Sequence, residues 1–465
     1  MSADDVWNWS ATRQAAAIRD GSLSSRELLD TFLERIDRLN GDVNAVVTLD
    51  VDRARAEAGR CDDEHARGQS RGPLHGLPIT IKDAIEVAGM RSTGGARELR
   101  DHVPVADAPA VARLRDAGAI VFGKTNVPLW SGDLQTFNDV FGTTNNPWDT
   151  SRTPGGSSGG AATAVACGFT AFELGTDIGG SVRFPSHFCG VYGLKTSYGV
   201  VSQRGYLDQV GGGTTDADIN VFGPIARSAE DLDLLLGIVA GPPPEQAPAW
   251  RIDLPAPTVD MLAGLRVGVW LDAAGAPVDR ASGDVLRSAV DAIAEVGASV
   301  EEAHPPVDFD EQVGLFVQLV SAAVSPSAGP ESGELLGGSH YQWLAAQRRR
   351  AEIMSAWAAW FGGYDVLLCP VATTAAFPHT QEGTLFERTL DLDIGTRPYA
   401  ELLAWTGLIG VVNLPSAVPP VGSTPAGLPV GMQVVAPYLH DRTAVAVAGA
   451  IGELTGGYRP PPMAR

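Results

Sequence analysis

From Leu23 to Asn40 the chain reads LSSRELLDTFLERIDRLN, with Leu28, Leu29, Phe32, Ile36 and Leu39 at helical spacing behind Ser24 and Glu27. That spacing puts the apolar residues on one face, and the Ser–Glu pair reads as a capping box, so an amphipathic helix is predicted. In GLPITIKDAIEV the period drops to two, with Ile79 and Ile81 on one face, which predicts a strand with Lys82 at or near its end. A helix with Asp107 as cap and Pro109 in its first turn then runs to Gly118, and AIVFG follows as the next strand. The alternation persists: SAEDLDLLLGIVAG, DVLRSAVDAIAEVG and HDRTAVAVAGAIGEL read as helices, and LRVGVWL, YDVLLCP and LPVGMQVV as strands. Stretches rich in Gly, Pro and Ser near 241–257 and 324–339 read as surface connections, because sheet signals resume after each. A β/α rhythm kept up this long predicts an α/β fold, a large mixed sheet with helices on both faces, in one domain spanning 1–465.

Composition narrows the class. The chain is 44% hydrophobic and has no long uncharged apolar run, so no membrane partner is expected. With 55 acidic and 34 basic residues the formal net charge is -21, which repels phosphate backbones and makes nucleic acid an unexpected partner. MSADDVWNWS lacks the basic and apolar regions of a secretory signal, so a cytoplasmic location is expected. Cys61, Cys167, Cys189 and Cys369 match neither metal-binding spacing nor a disulfide framework and read as free thiols.

Two motifs point to chemistry that their context does not support. GAIVFGKT at 118–125 satisfies the phosphate-loop pattern, but its middle residues form an apolar strand where a phosphate cradle needs a flexible loop. GSSGG at 156–160 fits a nucleophile elbow centred on Ser158, yet the polar, proline-broken NNPWDTSRTP precedes it where a buried strand is required. The histidines that such a triad would draw on, His187, His304, His340, His379 and His440, all lack a recognisable setting.

A rarer combination remains. PGGSSGGAATAVACGFTAFELGTDIGGSVRFPSHFCGVYGLKT, at 154–196, places two Gly–Ser loops around a helix-like segment, downstream of a lysine on a buried-looking strand. Glycines let backbone N–H groups approach a reacting atom closely, and in DIGGS the amides of Ile178, Gly179, Gly180 and Ser181 are candidates to converge on one oxygen. A lysine accepts a proton only when neutral, and burial beside Ile79 and Ile81 would lower the Lys82 pKa toward that state.

With HGLPITIKD, DAGAIVFGKTN, FGTTNNPW, GTDIGGSVRFPS and GLPVGMQVVAP, the chain resembles the amidase signature family over nearly its whole length, with the core signature at 75–235. The resemblance implies Ser181 as nucleophile, Ser157 as a bridging serine on a cis peptide, and Lys82 as base. It also implies an oxyanion hole from the amides of 178–181, supported by Ser158, Thr176, Asp177 and Arg183. Relatives commonly have Pro where Thr196 stands and an acidic residue where Leu129 follows Pro128, departures that bear on substrate and leave the triad untouched. Segments 203–223 and 310–360 are expected to face substrate, the first as a loop over the pocket, and Trp130, Phe137, Gly211, Gly212 and Trp405 are expected to line it. Trp343 and Trp360 are further aromatic candidates.

The expectation is therefore a serine hydrolase of small aryl or alkyl amides, active also on esters or carbamates, working as a monomer or homodimer without metal or cofactor. The alternative is a catalytically weak relative serving as a binding or amidotransferase-type assembly subunit. The acidic surface and the lack of a partner motif are read as disfavouring that role.

Overall fold

A computed structural model of the chain describes residues 3–259 and 261–465, the side chains of 3–5 and 330 excepted. Among these residues the backbone forms a nine-stranded mixed sheet, a three-stranded sheet and two short hairpin-like pairs, with helices packed between and around them. The large sheet runs, in order, Ser299–Glu302, Arg266–Val269, Val366–Pro370, Pro429–Val435, Ser416–Val418, Tyr192–Lys195, Val221–Ala226 and Glu173–Asp177, and Pro420–Ser423 pairs with Pro429–Val435. Its first three strands are parallel and the remaining pairs antiparallel, giving the mixed sheet that the alternating periods predict. Pro78–Lys82 lies parallel to Ile120–Thr125, which pairs on its other side with Val46–Leu49.

Local chemistry explains why these elements start where they do. The helix Ser25–Val43 opens on the expected capping box, with Ser24 and Glu27 each satisfying the other's backbone N–H. The helix Pro109–Asp116 departs from expectation: its N-cap is Ala108, with no side-chain cap. Asp107 instead accepts from the Ala88 N–H at 2.8 Å and from Arg115 at 2.7 Å, so tertiary partners outcompete the cap. The stretch near 324–339 is not a plain connection either, since Pro330–Gly337 is helical.

Both misleading motifs resolve as their context indicates. Lys124 lies within the strand Ile120–Thr125, fully buried, with its amine bonded to the Ile85 carbonyl and to Ser92 Oγ at 2.8 Å. Strand backbone and a committed lysine leave no phosphate cradle there. His187 is a satisfied core histidine held by the Thr374 carbonyl and the Gly431 backbone. The four cysteines are free and buried.

The helix Gly159–Cys167 is enclosed on every side, which the run GGAATAVAC permits because its side chains are small. A Cβ at Gly160 would sit 2.4 Å from Asn126 N and 2.5 Å from Asn126 O, so helix and strand end touch backbone to backbone. Gly160→Ala is expected to push them apart at a cost of about 1–3 kcal/mol, read as a lower urea midpoint with an unchanged slope.

Candidate active site

Three separate parts of the chain meet at the carboxyl end of Pro78–Lys82. Lys82 ends that strand, fully buried, and its Nζ lies 2.7 Å from Ser157 Oγ and 2.7 Å from Thr176 Oγ1. Thr176 belongs to Glu173–Asp177, the edge strand of the large sheet that packs beside Pro78–Lys82. Ser157 stands in the Gly–Ser loop just before the helix Gly159–Cys167, and the Gly156–Ser157 peptide is cis. Thr136 Oγ1 clamps this loop, donating to the Gly155 carbonyl at 2.8 Å and accepting from Gly159 N–H at 3.1 Å.

Ser158 ties the loop to the second Gly–Ser segment. Its N–H donates to the Ser181 carbonyl at 3.1 Å, and its hydroxyl contacts both the N–H and the carbonyl of Thr176 at 3.4 Å. Ser181, 4% exposed, opens on a cavity of about 410 Å³ together with Ile178 and Gly179. The structure thus brings Lys82 and Ser157 into direct contact and ties Ser181 to their loop through its backbone. No hydrogen bond joins Ser157 to Ser181 among the described residues.

The electrostatics of the site follow from burial. Loss of solvent pushes the Lys82 amine down to about 7, against the pull of the Asp177 and Glu173 carboxylates. Burial likewise lifts the Glu173 carboxyl to about 7. For Asp177 burial also works upward, but Arg183 outweighs it and the carboxyl ends below its ordinary value. Arg183 Nη2 and Nε donate to its two oxygens at 2.8 and 3.0 Å, both side chains being fully enclosed. Arg183→Met would leave that charge buried and unpaired, and is expected to destabilise the fold by about 3–5 kcal/mol, measured as a fall in the guanidinium midpoint.

One expected oxyanion donor is corrected. The Gly180 N–H is already given to Asp177 Oδ1 at 2.8 Å, so only the amides of Ile178, Gly179 and Ser181 lack an acceptor among the described residues. Gly180 has φ +117°, and a Cβ there would meet the Phe184 ring at 2.4 Å, so its glycine serves the turn that aims its neighbours.

The cavity wall differs from the expected one. Trp130 lines it, held with φ 51° in a short turn. Phe137 instead pairs in a two-residue strand with Thr143. Trp405 is sealed in the core against Trp270 and Phe309, its indole N–H bonded to the Ala276 carbonyl, while Leu403 from the same region reaches the cavity. Gly211 and Gly212 do not line it, although a Cβ at Gly212 would fall 2.4 Å from Asp208 Oδ1, and Asp208 does. Trp343 borders a neighbouring cavity and Trp360 stacks on Tyr364. Phe316, Val320 and Leu336, within the segment 310–360 expected to face substrate, line the cavity, whereas sequence reasoning missed Leu385 and Phe386, which line it too. Their helical or loop patterns carry no mark separating pocket from core.

Comparison with known proteins adds to this geometry. The family described as Amidase matches residues 27–328 and 328–445. A glutamyl-tRNA(Gln) amidotransferase subunit from Cyanothece sp. is 32% identical over 479 residues, covering 93% of this chain and 95% of that protein. The structure of a 6-aminohexanoate cyclic dimer hydrolase complexed with substrate superimposes with TM-score 0.82 at 26% identity, over 99% of this chain and 100% of that one. The corresponding glutamyl-tRNA(Gln) amidotransferase subunit from Thermotoga maritima gives 0.81 at 25% identity, with 98% of each chain covered. Those two amidotransferase relatives are named as subunits, the role that the sequence reading carries as its alternative. Among the described residues, no helix is long and apolar enough to cross a membrane.

Proposed function

This chain belongs to the amidase signature family, and from that membership we propose that it cleaves the C–N bond of small aryl or alkyl carboxamides through an acyl-enzyme on Ser181. The observation that carries the reading is a buried lysine poised near neutrality, in contact with a serine whose loop is bonded to the nucleophile's own backbone. The 2.7 Å contact between Lys82 and Ser157 serves either direction. When the amine is charged it donates, and when it is neutral the Ser157 O–H donates to its lone pair while Nζ still donates to Thr176.

In the proposed cycle Ser157 rotates to accept the Ser181 proton as it passes its own to Lys82. Ser181 Oγ attacks the carbonyl carbon, and the resulting oxyanion is held by the free amides of Ile178, Gly179 and Ser181. Lys82, now charged, returns the proton through Ser157 to the departing nitrogen, and the C–N bond breaks. Water then enters along the same relay in reverse and releases the acid. Esters and carbamates present the same electrophile to the same serine, so activity on both is part of the proposal.

The cavity supports an apolar substrate, because its wall holds Leu129, Trp130, Leu134, Phe316, Val320 and Leu403 and, among the described residues, no arginine, lysine or histidine. A second reading, an amidotransferase-type subunit, is favoured by the names of the curated relatives. Turnover assays separate the two. Hydrolysis of anilides, alkyl amides, nitrophenyl esters or aryl carbamates by the chain alone, without ammonia release from glutamine, supports the hydrolase. Glutamine hydrolysis as the only activity supports the amidotransferase role.

A further inference from the structure

Two carboxylates interrupt the apolar wall beside Ser181, those of Asp133 and Asp208. Asp133 is fully compensated: Arg388 pairs with it, and Tyr399 Oη donates to it at 2.8 Å. Asp208 is not. Its Oδ1 is buried and receives no hydrogen bond from another described residue. Burial pushes its carboxyl up, and only its own backbone N–H works against that.

Asp208 also borders a second cavity, of about 430 Å³, on whose wall stand Asp216, Asp218 and His340. Asp216 lies 3.8 Å from Arg204, and Asp218 pairs with Arg350 at 3.1 Å. His340 stacks on Trp343. Of the acids around both cavities, Asp208 alone has no cationic partner among the described residues, and it stands where the two spaces adjoin. An unpaired carboxylate in an apolar wall is unfavourable for the empty protein and favourable toward a cation that arrives on an apolar chain.

We propose that Asp208 is a specificity residue that selects ligands carrying a protonated amine at the end of an apolar chain, the chain lying in the cavity beside Ser181. The inference rests on the Ser181 reading for its place in catalysis, but binding can be measured without turnover. The probes are linear primary alkylammonium ions of increasing length and the alcohols of matching length. Their affinity is measured by calorimetry, and their occupancy of the cavity by how far they slow fluorophosphonate labelling of Ser181.

The expected result is that the best-fitting ammonium binds the parent about tenfold or more tightly than its alcohol. In Asp208→Asn that preference disappears while the melting temperature holds, and Asp208→Ser gives the same answer with a smaller side chain. Equal affinity of ammonium and alcohol in the parent overturns the inference, as does a preference that survives both substitutions. If Ser181 does not label at all, the hydrolase reading fails, whereas the calorimetric comparison still decides the role of Asp208.

Discussion

Ser181→Ala is expected to lower kcat/KM by roughly 10⁴-fold or more and to abolish fluorophosphonate labelling, while leaving the melting temperature unchanged. The magnitude follows from what the hydroxyl is asked to do. In the proposed cycle no acyl-enzyme forms without Oγ, and the residual rate is whatever binding and the oxyanion amides provide to a direct attack by water. The fold is expected to tolerate the change because Ser181 contributes to packing through its backbone. Its carbonyl holds the Ser158 N–H, and that bond is indifferent to the side chain. A variant that loses activity together with its thermal transition would mean a structural role for the hydroxyl instead.

Lys82 is expected to show an effect nearly as large. Lys82→Arg keeps a cation at the position, but guanidinium stays protonated and cannot take the relayed proton, so kcat is expected to fall by about 10²–10⁴-fold at every accessible pH. In the proposed cycle the working form is the neutral amine. With the group pushed down to about 7, kcat/KM should fall tenfold per pH unit below that midpoint and level off above it. Glu173 rises to about 7 in the same enclosed space and acts on the amine, so the measured midpoint belongs to the pair.

Stability reports the same group with its own sign. The unfolded lysine titrates near 10.5 and the folded one near 7, so between those values the unfolded chain binds more protons and native stability rises with pH. Lys82→Met removes that burden. It is expected to melt no lower than the parent at pH 7, with any gain shrinking toward about pH 10, while activity is lost. Enzyme inactivation with retained or increased stability cannot be mistaken for misfolding.

How much of this was legible in the sequence depended on whether the signal was local. The Ser24–Glu27 box and the period-two run ending at Lys82 were readable because a cap and a pleat are set by neighbours within a few residues. Asp107 was misleading because its carboxylate has three claimants, and the distant Ala88 N–H and Arg115 prevail over the cap. Gly180 looked like one donor of four, yet Asp177 captures its amide, a competition that only the folded turn reveals. The aromatic residues mislead for a further reason. Trp405 and Leu403 sit two positions apart near the start of one helix, and nothing in their spacing says which meets the cavity and which meets Trp270. Asp208 was invisible as well, since a lone acid in a Gly-rich loop reads as solvated until the loop folds over it.

Substrate identity divides along the same line. Family membership follows from motifs spread over the chain, whereas the choice between a free-standing hydrolase and part of an amidotransferase lies in the cavity wall and in surfaces that motifs do not encode.

The rate at which a fluorophosphonate labels Ser181, followed by mass spectrometry across pH in the parent and in Lys82→Met, bears on the relay without requiring any substrate. The proposal expects labelling of the Ser181 peptide that rises through an apparent pKa of about 7 in the parent and is slow and without that inflection in Lys82→Met. Labelling at another residue, or a pH profile identical in the two proteins, would contradict it.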